Sequence, residues 1–237
     1  MGRPIINCDL GENESDTQTE KLLGQIDLAN ICCGVHAGNA AKTAWTLERA
    51  RRQGTKIGAH PGLPAAGGRG AALPGLDEFD ALLHRQVSDF CAMAKELGAE
   101  VDSIKLHGSL YHAVEQDEAY ADTYREFLQR FPSRLAVVSL AGGHLAAQLG
   151  ADGIEVWPEG FVDRAYSGGG GLLARSVRGA VLDTEAALEQ FRQWRSSGRM
   201  PTVDGSSFAM EAMTFCVHGD SPNALDILSG LRGSRGG

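Results

Sequence analysis

Residues 55–62 read Thr-Lys-Ile-Gly-Ala-His-Pro-Gly, an apolar run that ends on His60 and is closed at once by Pro61 and Gly62. A short run of this kind, bounded by turn residues, reads as a buried strand of a parallel sheet. The same grammar recurs along the chain. PIINCDL (4–10), DLANICCGV (27–35), DSIKLHG (102–108), RLAVVSL (134–140), IEVWPEGF (154–161) and AMTFCVHG (212–219) are further strand candidates. Between them lie segments of helical period. In residues 77–98, Phe79, Leu82, Leu83, Val87, Phe90, Ala94 and Leu97 recur on one face, and Gly98 stops the helix. Residues 117–132 repeat the pattern with Tyr120, Tyr124, Phe127 and Phe131, and residues 183–198 with Leu188, Phe191 and Trp194. Residues 220–233 carry Ser221 as an expected N-cap and Pro222 at the first helical position.

Strand followed by helix, repeated along the whole chain, requires parallel strands with crossover helices, which a doubly wound sheet or a closed barrel would satisfy. The polar residues choose between them. Asp9, Glu12, His36, His60, His107, Asp163 and His218 all fall at strand ends or just beyond. In a barrel those ends face one mouth, whereas in an open sheet they spread along an edge. An α/β barrel is expected, as a single domain over residues 1–237 with residues 230–237 as a frayed tail. The two long breaks, residues 61–76 and 163–176, are read as loops over the mouth.

With 237 residues, the chain can bury a full core without disulfide or metal staples. Its net charge of −8 is spread along the sequence without runs of like charge. That balance argues against nucleic acid or an anionic membrane as partner and favours small ligands. No apolar run approaches a membrane span, and MGRPIINCDLGE enters the fold with no leader pattern. The five cysteines are an odd number, and Cys32 and Cys33 are adjacent, so no disulfide framework is expected and a reducing cytoplasm is the expected location.

Four of the seven histidines close apolar runs beside glycines, which points to a shared site. Neutral imidazoles with a carboxylate suit a divalent metal, with Asp9, His36 and His60 as first candidates. Histidine also suits proton exchange with water or an amide nitrogen. Lys105, two residues before His107 and so on the same strand face, is a candidate charge anchor for a carboxylate substrate, with a solvated or salt-bridged lysine as the alternative. Asp163, Arg164, Tyr166 and Arg175 surround the Gly-rich turn, and arginine suits planar carboxylate recognition. Phosphate-loop, dinucleotide and serine-elbow spacings do not occur.

Taken in order, NCDLGE, NICCGVHAG, IGAHPG, KLHGSLY, EGFVDRAY, GLLARS and CVHGD resemble the motifs of the LamB/YcsF family, the A subunits of 5-oxoprolinase, from about Asn7 to Asn223. The resemblance implies a distorted seven-stranded (β/α) barrel of the glycoside hydrolase/deacetylase kind. It implies ATP-dependent opening of the lactam 5-oxoproline to L-glutamate, together with partner subunits B and C. Since the chain has no nucleotide signature, ATP activation would fall at least partly to those partners. On this reading Asp9, Glu12, His36 and His60 hold or activate water, while His107 and Lys105 polarise the carbonyl or protonate nitrogen. Arg164 or Arg175 anchors the substrate carboxylate. Asn30, Asn39, Arg69, Tyr111, Asp163, Tyr166, His218 and Asp220 complete the expected substrate-binding set. A metal-dependent deacetylase or amidohydrolase, and a non-catalytic binding subunit, are the alternatives.

The chain departs from the family pattern on its loops. LPAAGGRGAALPG follows GAHPG where the family usually has an Asp-Leu pair and a Gly-Phe-Gly-Arg-Arg block. Asn39 stands where the family usually has Asp. NESDTQ replaces a Gly-Phe-Gly stretch, and Leu106 a proline.

Overall fold

A computed structural model describes residues 2–64 and 72–233. Its strands are β1 (Ile5–Leu10), β2 (Leu28–Cys32), β3 (Lys56–His60), β4 (Ser103–Ile104), β5 (Ala136–Leu140), β6 (Val156–Phe161), β7 (Arg199–Pro201), β8 (Ser207–Ala209) and β9 (Thr214–Cys216). Seven of them, β1 to β6 and β9, form a closed parallel barrel, and β9 seals it by pairing with both β1 and β6. The helices are α1 (Asp16–Leu23), α2 (Ala40–Gln53), α3 (Leu76–Glu96), α4 (Gly108–Gln116), α5 (Glu118–Arg130), α6 (His144–Ala151), α7 (Thr184–Ser197) and α8 (Ala224–Gly233). The expected barrel is thus the observed one.

Side chains two apart on a strand share a face. Ile5, Asn7 and Asp9 therefore climb the barrel interior on β1, and Leu28, Asn30 and Cys32 climb it on β2. The interior is sorted by height. Leu28, Ala136, Val138 and Trp157, with Ile5 against them, form an apolar floor. Above the floor the wall turns polar: Asn7 Nδ2 donates to Glu159 Oε1 (2.9 Å) and Thr214 Oγ1 (2.8 Å), and Asn30 Nδ2 donates to Asn7 Oδ1 (2.8 Å). The opposite strand faces, with Ile6, Cys8, Leu10, Ile31 and Ala59, pack against the helices. Phe79, Leu83, Val87 and Phe90 of α3 are fully covered there, each worth about 1.5–3 kcal/mol of apolar burial.

Two buried glutamines interrupt the apolar faces of their helices. On α3, Gln86 donates Nε2 to the Gly62 carbonyl (2.8 Å) and accepts from the Gly62 N–H (3.1 Å). On α7, Gln190 donates Nε2 to the carbonyls of Arg164 (2.9 Å), Phe161 and Val162 (both 3.2 Å). Each clamps the backbone just past a barrel strand, so the helices hold the mouth as well as the core.

Several local expectations are revised. β4 has only two strand residues, but its ladder continues through Lys105 N–H to Ala59 O (2.9 Å) and His107 N–H to Pro61 O (2.8 Å). The β7–β8 hairpin lies outside the barrel and was not expected. Gly230 to Gly233 close α8 with Leu231 buried, so these four residues are not a frayed tail; residues 234–237 lie outside the described residues. Ser221 and Pro222 sit in the turn before α8, where Ser221 Oγ accepts from Asn223 N–H (3.4 Å), and do not occupy the cap and first helical positions. The Gly-rich segment is tied down: Ser167 N–H donates to Gly171 O (2.8 Å), Tyr166 bridges Leu172, and Gly170 takes φ +83°.

Candidate active site

Lys105 lies at the centre of the mouth and is only 3 % exposed. Its Nζ is 3.0 Å from Asp9 Oδ1 and 3.0 Å from Glu159 Oε1, and it donates to Cys216 Sγ at 3.2 Å. Burial alone would push the lysine down, but Asp9, Cys216 and Glu159 outweigh it and hold it well above its usual range. Burial would likewise raise Asp9, yet Lys105 and then His60 hold that carboxyl well below its usual range. Glu159 goes the other way: burial wins over Lys105, and its carboxyl is raised. One ammonium cannot fully compensate two carboxylates, so the part-buried Asp9 takes the charge and the fully buried Glu159 is the readier proton carrier.

Three histidines converge beside this pair. His60 donates Nδ1–H to the Lys105 carbonyl (2.8 Å), which leaves its Nε2 as an acceptor, 3.1 Å from His107 Nδ1. His36 Nε2 lies 3.1 Å from Glu12 Oε1, and His107 Nδ1 lies 3.6 Å from the same oxygen. Burial pushes His60 and His107 down to about 3, with His36 adding repulsion at both. His36 is opposite: its hydrogen bonds to Cys32 and Glu12 overcome burial and raise it to about 9. At neutral pH the group therefore holds one imidazolium and two neutral imidazoles. His36 and His107 stack with centroids 3.8 Å apart and planes 12° apart. The Gly62 backbone fits against both rings only without a side chain, since a Cβ there would lie 2.6 Å from His36 Nδ1 and 2.8 Å from His107 Cβ.

On the other side of Lys105, His218 Nδ1 contacts both Asp163 oxygens (2.9 and 3.0 Å), and its ring stacks on Phe161. A cavity of about 570 Å³ opens over both groups, walled by Asp9, His60, Lys105, His107, Arg175 and His218 among others. A second cavity of about 380 Å³ adjoins it along Glu12 and His107 and is lined by Glu14 and His36.

Most expected residues meet here. Asp9, Glu12, His36, His60, Lys105 and His107 form one cluster, while Tyr111, Arg164, Arg175, His218 and Asp220 line the larger cavity. Asp163 stands behind His218. Asn30 lies one layer lower, donating Nδ2 to Asp9 Oδ1 (3.0 Å), so it positions Asp9 from inside the barrel. Arg164 spends its guanidinium on the carbonyls of Leu173 and Ala180, which leaves Arg175, paired loosely with Asp220 at 3.5 Å, as the better carboxylate anchor.

Three expectations need correction. Asn39 is the N-cap of α2, accepting from Lys42 N–H (3.0 Å), and is not at the cavity. Asp and Asn cap helices equally well, so the departure from the family pattern there leaves the site untouched. Tyr166 is fully buried beneath the mouth, its hydroxyl accepting from Phe161 N–H (2.7 Å), and so faces no ligand. Asp9, His36 and His60 do not form a common donor group. Among the described residues the converging donors are Glu12, His36, His60 and His107, with Asp9, Cys216 and His218 as a separate set. Arg69 lies outside the described residues.

The sequence reading missed Glu159, Asn7, Cys216, Glu14 and Gln86. Glu159 had a visible signal, since it shares strand phase with Trp157 and Phe161 and so had to point inward. Glu14, in the NESDTQ segment, accepts from Gly11 N–H (2.7 Å) and Glu12 N–H (3.0 Å) and so fixes the loop that presents Glu12. Nothing local in the sequence marks that role.

Among the described residues no helix is long and apolar enough to cross a membrane. The sequence profile of the LamB/YcsF family matches residues 5–234. A protein from Syntrophobacter fumaroxidans, named as the A subunit of 5-oxoprolinase, is 38% identical over 239 residues, covering 97% of this chain and 93% of its own. A protein of the same name from Tolumonas auensis is 33% identical, covering 98% and 95%. Among solved structures, a lactam utilization protein from Thermus thermophilus superposes with a TM-score of 0.88 at 27% identity, covering 99% of this chain and 98% of that one. With its barrel, its ordered motifs and this profile in agreement from end to end, the chain belongs to the LamB/YcsF family.

Proposed function

We propose that this chain is the A subunit of an ATP-dependent 5-oxoprolinase, a hydrolase that opens the lactam of 5-oxoproline to L-glutamate with partner subunits B and C. The observation that carries the reading is the convergence of His60, His107 and the buried Lys105 on one cavity wall, in a chain whose relatives bear the 5-oxoprolinase name over almost their whole length.

A lactam amide is a poor electrophile. Opening it takes activation of the carbonyl, a base for the attacking water, and a proton for the departing nitrogen. ATP would activate the amide with the partners, since this chain has no nucleotide motif. The histidine–carboxylate group of Glu12, His60 and His107 would take the proton from water. The Lys105 ammonium, kept protonated by Asp9 and Glu159, would face the developing oxyanion. Arg175 would hold the substrate carboxylate at the rim. The larger cavity exceeds what a five-membered lactam fills, which leaves room for an activated form of the substrate or a segment of a partner.

The test is direct. The chain is incubated with 5-oxoproline, ATP and the two partner subunits, and glutamate is assayed. Turnover that needs all components and collapses in His107→Ala supports the reading. No glutamate under any partner combination overturns it.

A further inference from the structure

We propose that Glu12, His60 and His107 form a three-donor site for a divalent transition-metal ion, with His36 held outside it as the group that orients Glu12. The inference deepens the reading of the same cavity, and rests on it only for the reaction that the ion would serve.

Metal bonds of about 2.0–2.1 Å place neighbouring donors of one ion roughly 3.0–3.4 Å apart. His60 Nε2 and His107 Nδ1 are 3.1 Å apart, and His107 Nδ1 and Glu12 Oε1 are 3.6 Å apart. The two rings meet nearly edge to face, with planes 80° apart, so both lone pairs can aim at one point. The His60 ring is already backed by the Lys105 carbonyl at Nδ1, the outer contact that metal-bound histidines usually carry. In the metal-free chain His107 Nδ1–H fills the gap by donating to His60. Moving that proton to Nε2 of the same ring frees both nitrogens without changing the charge.

His36 meets the distance criterion but fails on orientation. Its ring lies face to face with His107, 12° from parallel and 3.8 Å away, so an ion in the plane of one ring lies well out of the plane of the other. His36 instead donates to Glu12 Oε1 and fixes the carboxylate. Glu12, His60 and His107 all line the larger cavity, whereas His36 lines only the smaller one. A bound ion would thus keep its remaining positions open to the larger cavity. Two imidazoles and one carboxylate with open positions suit zinc, iron(II), cobalt(II) or manganese(II). When bound, such an ion would supply Lewis acidity or an activated water.

The other donor set is excluded by what already fills it. Asp9, Cys216 and His218 also converge, but the Lys105 ammonium donates to both Asp9 and Cys216 and stands where a cation would sit.

Cobalt(II) is the probe. The full chain is stripped with a chelator, dialysed and titrated with Co²⁺, with stoichiometry read by elemental analysis and coordination by visible absorption. One ion per chain is expected. Glu12→Gln and His107→Ala should each weaken binding more than about a hundredfold, and His36→Gln about tenfold with stoichiometry kept. Cys216→Ser should leave binding unchanged. Circular dichroism confirms folding of each variant, and His60→Ala is not needed should it fail to fold. No stoichiometric ion, or binding indifferent to Glu12→Gln and His107→Ala, overturns the proposal, as does loss in Cys216→Ser. Ion binding without glutamate production would sink the 5-oxoprolinase reading alone. Glutamate production by a chain that binds no ion would sink the metal site alone.

Discussion

Two groups of metal-capable side chains share the barrel mouth, and they differ in what occupies them. Asp9 and Cys216 close around the ammonium of Lys105, a cation built into the chain. Glu12, His60 and His107 close on one another: His107 Nδ1 lies 3.1 Å from His60 Nε2, and the charged His36 ring sits at the edge, on Glu12. The difference comes from strand position. Lys105 follows β4 with Asp9 and Cys216 on strands across the barrel, so its long stem reaches both. His36 and His107 follow β2 and β4, and His60 ends β3 between them, so on neighbouring strands their short side chains meet one another and Glu12. A similar donor chemistry is thus an internal ion pair on one side and a histidine–carboxylate hydrogen-bond cluster on the other.

The largest test of this contrast is Lys105→Met. It leaves the buried Glu159 and the part-buried Asp9 without their cation, and a cost of about 3–5 kcal/mol in unfolding free energy is expected. Denaturant titration measures it. A loss under about 1 kcal/mol would mean that Lys105 is not what neutralises this side.

The histidine side should show itself through pH, in the chain without added metal. His36 is raised from 6.5 to about 9, so its contribution is full below 6.5 and lost as pH rises through 9. His60 and His107 are lowered to about 3, so folding resists their protonation and stability is lost as pH falls from 6.5 towards 3. Melting temperature should therefore peak near neutrality and fall on both sides. His36→Asn should flatten the alkaline limb, and His107→Asn should make the acid limb shallower. Unchanged limbs in both variants would break the assignment of charges within the cluster.

Gln86→Leu removes two hydrogen bonds and strands the Gly62 N–H and carbonyl beside the rings. About 1–3 kcal/mol of destabilisation is expected, read by thermal melts, with the Co²⁺ affinity weakened as well. Gln190→Leu should cost a similar amount but spare Co²⁺ binding, because its clamp holds the far side of the mouth. Equal effects on Co²⁺ would mean that the two sides are not independent. The smallest effect is reserved for Arg175→Ala. Its half-exposed pair with Asp220 is worth no more than about 0.5 kcal/mol, so stability should hold while KM for a carboxylate substrate rises.

Much of this was legible in the residue order. Apolar runs closed by glycine and proline set the strands, the helical period of residues such as Phe79, Leu83, Val87 and Phe90 set α3, and polar residues at strand ends located the mouth. What stayed hidden was which particular side chains from distant segments touch. Glu159 looked like a strand residue until Asn7 and Lys105 met it across the barrel. Gln86 looked like a break in an apolar face until Gly62 came within its reach. Asn39 and Tyr166 belong to motifs of the mouth, yet one caps a helix and the other holds Phe161 from below.

Residue order is enough for the alternation of strand and helix, for the barrel, and for which end carries the chemistry, because these depend on local periodicity and on hydrophobic burial. Which charges are paired, which imidazoles are neutral and which donors can share an ion are settled only in the assembled barrel. Those properties depend on distance, ring orientation and desolvation, and all three are set by strands that meet across the barrel and lie far apart in the chain.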